Sequence, residues 1–177
     1  LNGPEVNYDL PAIQSPNPSL FERLANYRLN ETPAKSEAGI AIASDIAARG
    51  EKVVVWSNFI RNLDHFAGLV RERIDVPTFQ VDGRVRVGDD LYFAREGESG
   101  DDDDPTREDV IERFLGASGP AVLVANPASC SESISLHRTC HNAIYLDRTY
   151  DCALYLQSLD RIHRLGLPPN VTVTVHV

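Results

Sequence analysis

Residues 52–57 read KVVVWS, and the surroundings of this stretch decide the fold. A short β-branched run with Gly50 before it and polar Ser57 and Asn58 after it has the pattern of a strand buried on both faces. Such a strand needs helices above and below the sheet, and the flanking sequence supplies them. Upstream, Ile42 and Ile46 recur with Ala38, Ala43 and Ala47 between Pro33 and Arg49, an amphipathic helix that stops at Gly50. Downstream, Phe59, Leu63, Phe66, Ala67, Val70 and Ile74 follow at helical spacing, and the helix should end before Pro77.

The alternation continues. TFQVD (78–82) reads as a second strand, followed by a Gly- and Asp-rich insertion at about 83–104 that breaks all periodicity and is expected to be a surface loop. Asp104 and Pro105 form an N-cap and first-turn pair for a helix carrying Val110, Ile111, Phe114 and Leu115. Strand AVLVA (121–125), a serine-rich loop with one helical turn, strand AIYLD (143–147), a helix over 151–164 and the closing strand VTVTVHV complete the pattern. Strand alternating with helix implies an α/β domain, a parallel sheet with helices on both faces, whose ligands gather at the carboxyl ends of the strands. Residues 1–32, rich in Pro and Asn, form an irregular lead-in with a short helix at Leu20–Leu29, and residues 33–177 form the domain.

The chain has 177 residues, 42% of them hydrophobic, which suits one domain with a real core. No apolar run approaches the roughly 18 residues of a membrane span, so a soluble, cytoplasmic protein with no membrane partner is expected. The first residue is Leu1 and methionine is absent, which reads as a piece of a longer protein. The net charge of −9 is concentrated: residues 89–104 carry eight acids against Arg95, or −7, leaving −2 for the remainder. That balance does not forbid a polyanionic ligand. The acidic segment reads as a solvated loop.

Cys130, Cys140 and Cys152 are odd in number, a poor start for a disulfide framework. With His137 and His141 they supply soft ligands, yet no C-x-x-C pair occurs and the spacing matches no standard zinc site, so no metal site is expected. Cys140 and Cys152 read as small buried residues and His163 as a core histidine. His176 falls on the threonine face of the last strand.

The stretch QSLDRIHRLG (157–166) places Gln157, Arg161 and Arg164 within an arc of roughly 60° at about 100° per residue. Cys152, Tyr155, Leu156, Leu159 and Ile162 lie on the other side. Two readings fit this spacing. A surface helix shows polar residues outward, with arginines near its C-terminus favoured by the helix dipole. Alternatively, two guanidiniums and an amide form a fork for phosphate oxygens, since arginine offers fixed bidentate donors.

The pattern Q-x-x-x-R-x-x-R-x-G resembles the sixth motif of superfamily 2 helicases, in the form found in Swi/Snf-type DNA translocases. KVVVWSNF is similar to that family's fourth motif, at the start of the second RecA-like lobe. FQVDG, followed after the insertion by TREDVIERF, resembles the segment where a glycine turn leads into an arginine-led helix. SESISL resembles the fifth motif, and AIYLDRTYDCALYLQS the strand and linker into the sixth. The resemblance spans about residues 33–177, with the motifs in the family's order.

It implies the second, C-terminal RecA-like lobe of an ATP-dependent motor, with ATP and Mg²⁺ held mainly by a first lobe. A G-x-x-x-x-G-K-[ST] loop does not occur in this sequence, so the chain alone should hydrolyse almost no ATP. By position, Arg161 and Arg164 would be arginine fingers. Gln157 would help hold the nucleotide, and Glu132 and Ser133 would link nucleotide state to the nucleic-acid track. Ser57 and Asn58 after the first strand, and Asn126, Ser129 and Ser131 after the third, would contact phosphates of the track without reading sequence. The form of the sixth motif favours double-stranded DNA over RNA; a non-catalytic α/β interaction domain is the rival reading. Cys130, Ser131 and Ser133 stand where relatives place glycines, and Arg148 to Cys152 replace the family's Pro-Asp-Trp-Asn-Pro, which marks a divergent branch.

Overall fold

The computed structural model describes residues 32–87, 105–130 and 134–177. The predicted lead-in, its helix at Leu20–Leu29 and most of the acidic insertion lie outside the described residues. The chain divides into Leu1–Pro33 and a compact unit, Ala34–Val177. In the second unit, β1 (Lys52–Trp56), β2 (Thr78–Val81), β3 (Ala121–Ala125), β4 (Cys140–Tyr145) and β5 (Thr174–His176) alternate with α1 (Ala34–Ala48), α2 (Ile60–Arg73), α3 (Arg107–Gly116) and α4 (Cys152–Asp160). The strands form one five-stranded sheet in the order β2-β3-β1-β4-β5, every pairing parallel. The expected α/β class and layering are therefore the observed ones.

The unbroken apolar runs have a direct cause in the period-two geometry of a strand. In β1, Val53 and Val55 point into a core shared with Ile40, Ala43 and Ile46 of α1 and Leu63, Phe66 and Val70 of α2. Val54 and Trp56 point the other way, into a core with Ile111 and Phe114 of α3 and Ile162 beyond α4. β3 divides likewise, Val122 and Val124 against Leu123 and Ala125. Gly39 lets α1 approach closely, since a Cβ there would sit 2.9 Å from Cε2 of Phe66 and 3.1 Å from Cδ2 of Leu146. Gly50, with φ of 77°, makes the left-handed turn that ends α1. Lys52 is buried at the start of β1, where its ammonium donates to the Leu115 carbonyl at 2.6 Å and so closes the C-terminus of α3. Burial lowers its pKa below the ordinary lysine value.

Several local expectations need correction. α3 is capped by Thr106, not Asp104: the Thr106 Oγ1 accepts from the Asp109 N–H, and the Asp109 carboxylate accepts from the Thr106 N–H, a reciprocal capping box. Phe59 is the N-cap of α2 and is 61% exposed, off the packed face. β4 begins at Cys140, three residues earlier than expected, because the Asn142 amide is satisfied inside the sheet by the Lys52 carbonyl and Glu51 carboxylate. Cys152, Leu156 and His163 are exposed; the packed side of α4 is built from Tyr155, Ser158 and Leu159, with Ile162 beyond it. Among the described residues, no helix is long and apolar enough to cross a membrane.

Candidate functional site

The register aligns the carboxyl ends of four strands. Val81, Ala125, Trp56 and Tyr145 stand side by side, and the ladder continues one step past them through Asn126 N–H to the Val81 carbonyl, Ser57 N–H to the Ala125 carbonyl and Leu146 N–H to the Trp56 carbonyl. The residues that leave the sheet here are Asp82, Asn126, Ser57 and Leu146. Three of the predicted site residues, Ser57, Asn58 and Asn126, thus arrive at one rim from two neighbouring strands.

At the centre of this rim is Asp147, which the sequence reading left unassigned. Its carboxylate accepts the Ser57 hydroxyl at 2.5 Å, the Asn58 N–H at 2.8 Å, the Asn58 amide at 3.0 Å and the Asn62 amide at 3.2 Å. Burial raises the pKa of Asp147, but the donors from Ser57, Asn58 and Asn62 outweigh it and hold the carboxyl below its ordinary value. Asn126 extends the network, donating its side-chain amide to the Asn58 carbonyl at 3.2 Å while its side-chain oxygen accepts from the Ala128 N–H. Ser57 itself is fully buried. Its hydroxyl is committed to Asp147, so Ser57 holds the loop from beneath, whereas Asn58, Asn126 and Ser129 stay partly accessible. The signal for Asp147 was an acid ending a buried strand, a position that demands partners.

A second cluster follows β3. Ser129 lies in the short 3₁₀ turn Pro127–Cys130, and its carbonyl accepts from the Arg107 guanidinium at 3.2 Å. The same guanidinium donates to the Val85 carbonyl at 3.0 Å, and the Arg107 N–H donates to the Arg86 carbonyl at 2.9 Å. Arg107 therefore ties the loop after β2 to the loop after β3, a role the sequence did not reveal. Ser131, Glu132 and Ser133 fall outside the described residues.

The arginine pair sits elsewhere than on a continuous helix. α4 ends at Asp160, and Arg161 and Ile162 make tighter bonds back to the Ser158 and Leu159 carbonyls. The cause is competition for the Arg161 carbonyl, which accepts from the Leu136 N–H at 3.0 Å instead of continuing a helix. The Ser158 hydroxyl adds a back-bond to the Tyr155 carbonyl and meets the Tyr145 hydroxyl at 2.7 Å. The two guanidiniums nevertheless converge on the segment that follows the serine-rich loop. Arg161 reaches the Ile134 carbonyl at 3.4 Å, and Arg164 donates to the Ser135 hydroxyl at 2.7 Å. Arg164 also approaches Asp160 at 4.0 Å, with both side chains about half exposed. An ion pair of this kind contributes about 0–1 kcal/mol, so it does not lock the group. Gln157 is exposed and lines a shallow depression with Asp160, Arg161 and His163. Gly166, with φ of 102°, turns the chain away after the arginines.

The cysteines are separated. Cys130 and Cys140 are buried in the core, with thiols pushed up to about 12 by burial, and Cys152 is exposed. Among the described residues, no three His, Cys, Asp or Glu side chains are grouped to hold a metal ion.

Comparison with known proteins fits this geometry. No family model matches the chain. It is 27% identical over 143 residues to an uncharacterized ATP-dependent helicase of Mycoplasma pneumoniae, a match that takes in 81% of this chain and 12% of that protein. Among solved structures, the C-terminal part of the Fun30 ATPase domain superposes with a TM-score of 0.61 at 20% identity, over 89% of this chain and 49% of that one. T4 UvsW gives 0.56 at 13% identity, over 86% of this chain and 29% of that one. Domain 2 of the DEAD-box helicase Mss116p, bound to an RNA duplex, gives 0.56 at 13%, over 80% and 48%. The chain thus spans well under two thirds of each of these proteins. Its fold is that of the second, C-terminal RecA-like lobe of helicase-type ATPases.

Proposed function

We propose that this lobe belongs to an ATP-dependent nucleic-acid translocase or helicase of the Swi/Snf-like group, and that it supplies arginine fingers and part of the track. The observation that carries the proposal is the convergence of Arg161 and Arg164 on Ile134 and Ser135, within the stretch that resembles the fifth motif. That joint would couple nucleotide state to the nucleic-acid side of the sheet.

The fork suits a triphosphate. Guanidiniums keep their charge and present fixed donors to phosphate oxygens, and the partners of Arg164 are exposed and weak enough to exchange for a ligand. Gln157 would hold the nucleotide or the closed lobe interface beside Arg161. Mg²⁺, held mainly by the first lobe as the resemblance implies, would supply charge neutralisation at the phosphates. Glu132 and Ser133 keep the linking role the resemblance implies. Asn58, Asn126 and Ser129 would contact the phosphate backbone, with Ser57 as their support, and Ser131 keeps the contact role the resemblance implies. Double-stranded DNA is the favoured track, and the setting is cytoplasmic.

The test joins this lobe to its natural first lobe and measures ATP hydrolysis with duplex DNA, with RNA and with neither. Arg164→Ala should lower stimulated turnover by at least roughly 10²-fold with nucleotide affinity little changed. Wild-type turnover in the variant ends the finger assignment and favours the non-catalytic reading, and stronger stimulation by RNA reverses the choice of track.

A further inference from the structure

Asp147 accepts four hydrogen bonds at the carboxyl rim, all of them from the neighbouring strand end, and the resemblance assigns it nothing. We infer that Asp147 is a positioning residue for nucleic-acid binding: it sets the 57–62 loop so that the Asn58–Asn126 edge presents a fixed row of polar groups to a phosphate backbone. The inference rests on the proposed track.

Three features of the structure carry it. First, all four donors to Asp147 come from one loop, Ser57, Asn58 and Asn62, at the end of β1 and the start of α2, while Asp147 itself leaves the adjacent strand β4. The carboxylate therefore fastens two strand ends across the rim. Second, the fastening is relayed: Asn58, fixed by Asp147 through both its N–H and its side chain, offers its carbonyl to Asn126 from β3. One acid thus sets the geometry of three neighbouring strand ends. Third, an unshielded acid at a phosphate-binding rim would repel its ligand. Asp147 is tolerable there because its two oxygens are turned inward onto four donors, which spreads its charge into the loop.

The alternative is that Asp147 only stabilises the fold. Stability alone does not separate the two readings, because removing the carboxylate leaves the buried Ser57 hydroxyl only the long bond to the Phe59 carbonyl at 3.4 Å and destabilises the protein either way. Two other readouts do separate them. Asp147→Asn retains the shape and one acceptor oxygen, and Asp147→Ala removes both. Hydrogen exchange of the 57–62 backbone in this chain should accelerate at least tenfold in the alanine variant and less in the asparagine variant. Binding of a fluorescein-labelled 30-base-pair DNA duplex and of a labelled RNA duplex, followed by anisotropy, should weaken about tenfold for Asp147→Ala. The double variant with Asn58→Ala should lose no more than the worse single variant, because both act through the same edge.

Unchanged exchange at 57–62 in Asp147→Ala overturns the inference directly. Accelerated exchange with wild-type affinity in both variants reduces Asp147 to a fold-stabilising role and also overturns it. Additive losses in the double variant show that Asp147 does not act through Asn58, and overturn it too. A wild-type chain that binds neither duplex refutes the proposed track itself, a failure distinct from the other three, and the positioning claim falls with it. If Asp147→Ala does not fold, Asp147→Asn alone decides, through exchange at 57–62 and duplex affinity.

Discussion

Replacing Arg84 with alanine should destabilise the protein at neutral pH and much less in acid. Asp82 ends β2 almost fully buried, yet ionised. Its carboxylate accepts the Arg84 Nε at 2.9 Å and Nη2 at 2.7 Å, together with the Arg84 N–H and the Gln80 amide at 3.0 Å each. Arg84 chiefly holds the Asp82 pKa at about 2, against an ordinary 3.8. A carboxyl depressed on folding contributes stability that is complete above its unfolded value and disappears as pH falls through its folded value. The window is therefore about pH 4 down to about pH 2. The difference between 3.8 and about 2 corresponds to at most roughly 2–3 kcal/mol. The Arg84 side chain is 54% exposed, and screening reduces the figure to on the order of 1–2 kcal/mol. The exposed pair of Arg84 with Asp64 adds little.

The assay is urea unfolding followed by the fluorescence of Trp56, the single tryptophan, which is buried. Other carboxyls held low, such as Glu51 and Asp147, weaken both proteins in acid, so the difference between wild type and Arg84→Ala is the measured quantity. It should be about 1–2 kcal/mol at pH 7 and fall by at least half at pH 2.5. A difference independent of pH, or one below about 0.3 kcal/mol at pH 7, refutes the reasoning.

Two glycines should respond in opposite directions to added side chains. Gly39→Val drives atoms into Phe66 and Leu146 and should cost about 1–3 kcal/mol, whereas Gly68, inside α2 with open space around it, should yield about 0.5–1 kcal/mol of stabilisation as Gly68→Ala; thermal unfolding of both variants checks the pair. Titration of the native chain with a thiol reagent at pH 8 should show one fast cysteine, Cys152, and all three only after denaturation, because Cys130 and Cys140 are buried and their thiols stay protonated.

Much of the architecture was legible because it depends on local periodicity. KVVVW and AVLVA carry no polar interruption, which requires cover on both faces, and the helices between them show the spacing of one packed side. Where local signals competed, the reading slipped. Asp104-Pro105 and Thr106 with Asp109 are both acceptable helix starts in sequence, and the reciprocal bonds of the second pair decide between them. In α4 both sides are apolar, so the sequence alone does not say that Leu156 faces out while Ser158, bonded to Tyr145, faces in.

By itself, then, the sequence determined the alternation of strand and helix, the parallel class of the sheet and the presence of two arginines within one turn of each other. These follow from interactions between residues close along the chain, which pattern reveals. Only the tertiary structure decided that Asp147 would meet Ser57, about ninety positions away, that Arg107 would join two loops, and that Arg161 would leave its helix to pair with Leu136. Those contacts exist because β1, β3 and β4 lie side by side in an order different from their order in the chain. Strand order is set by packing over long range, and no local spacing encodes it.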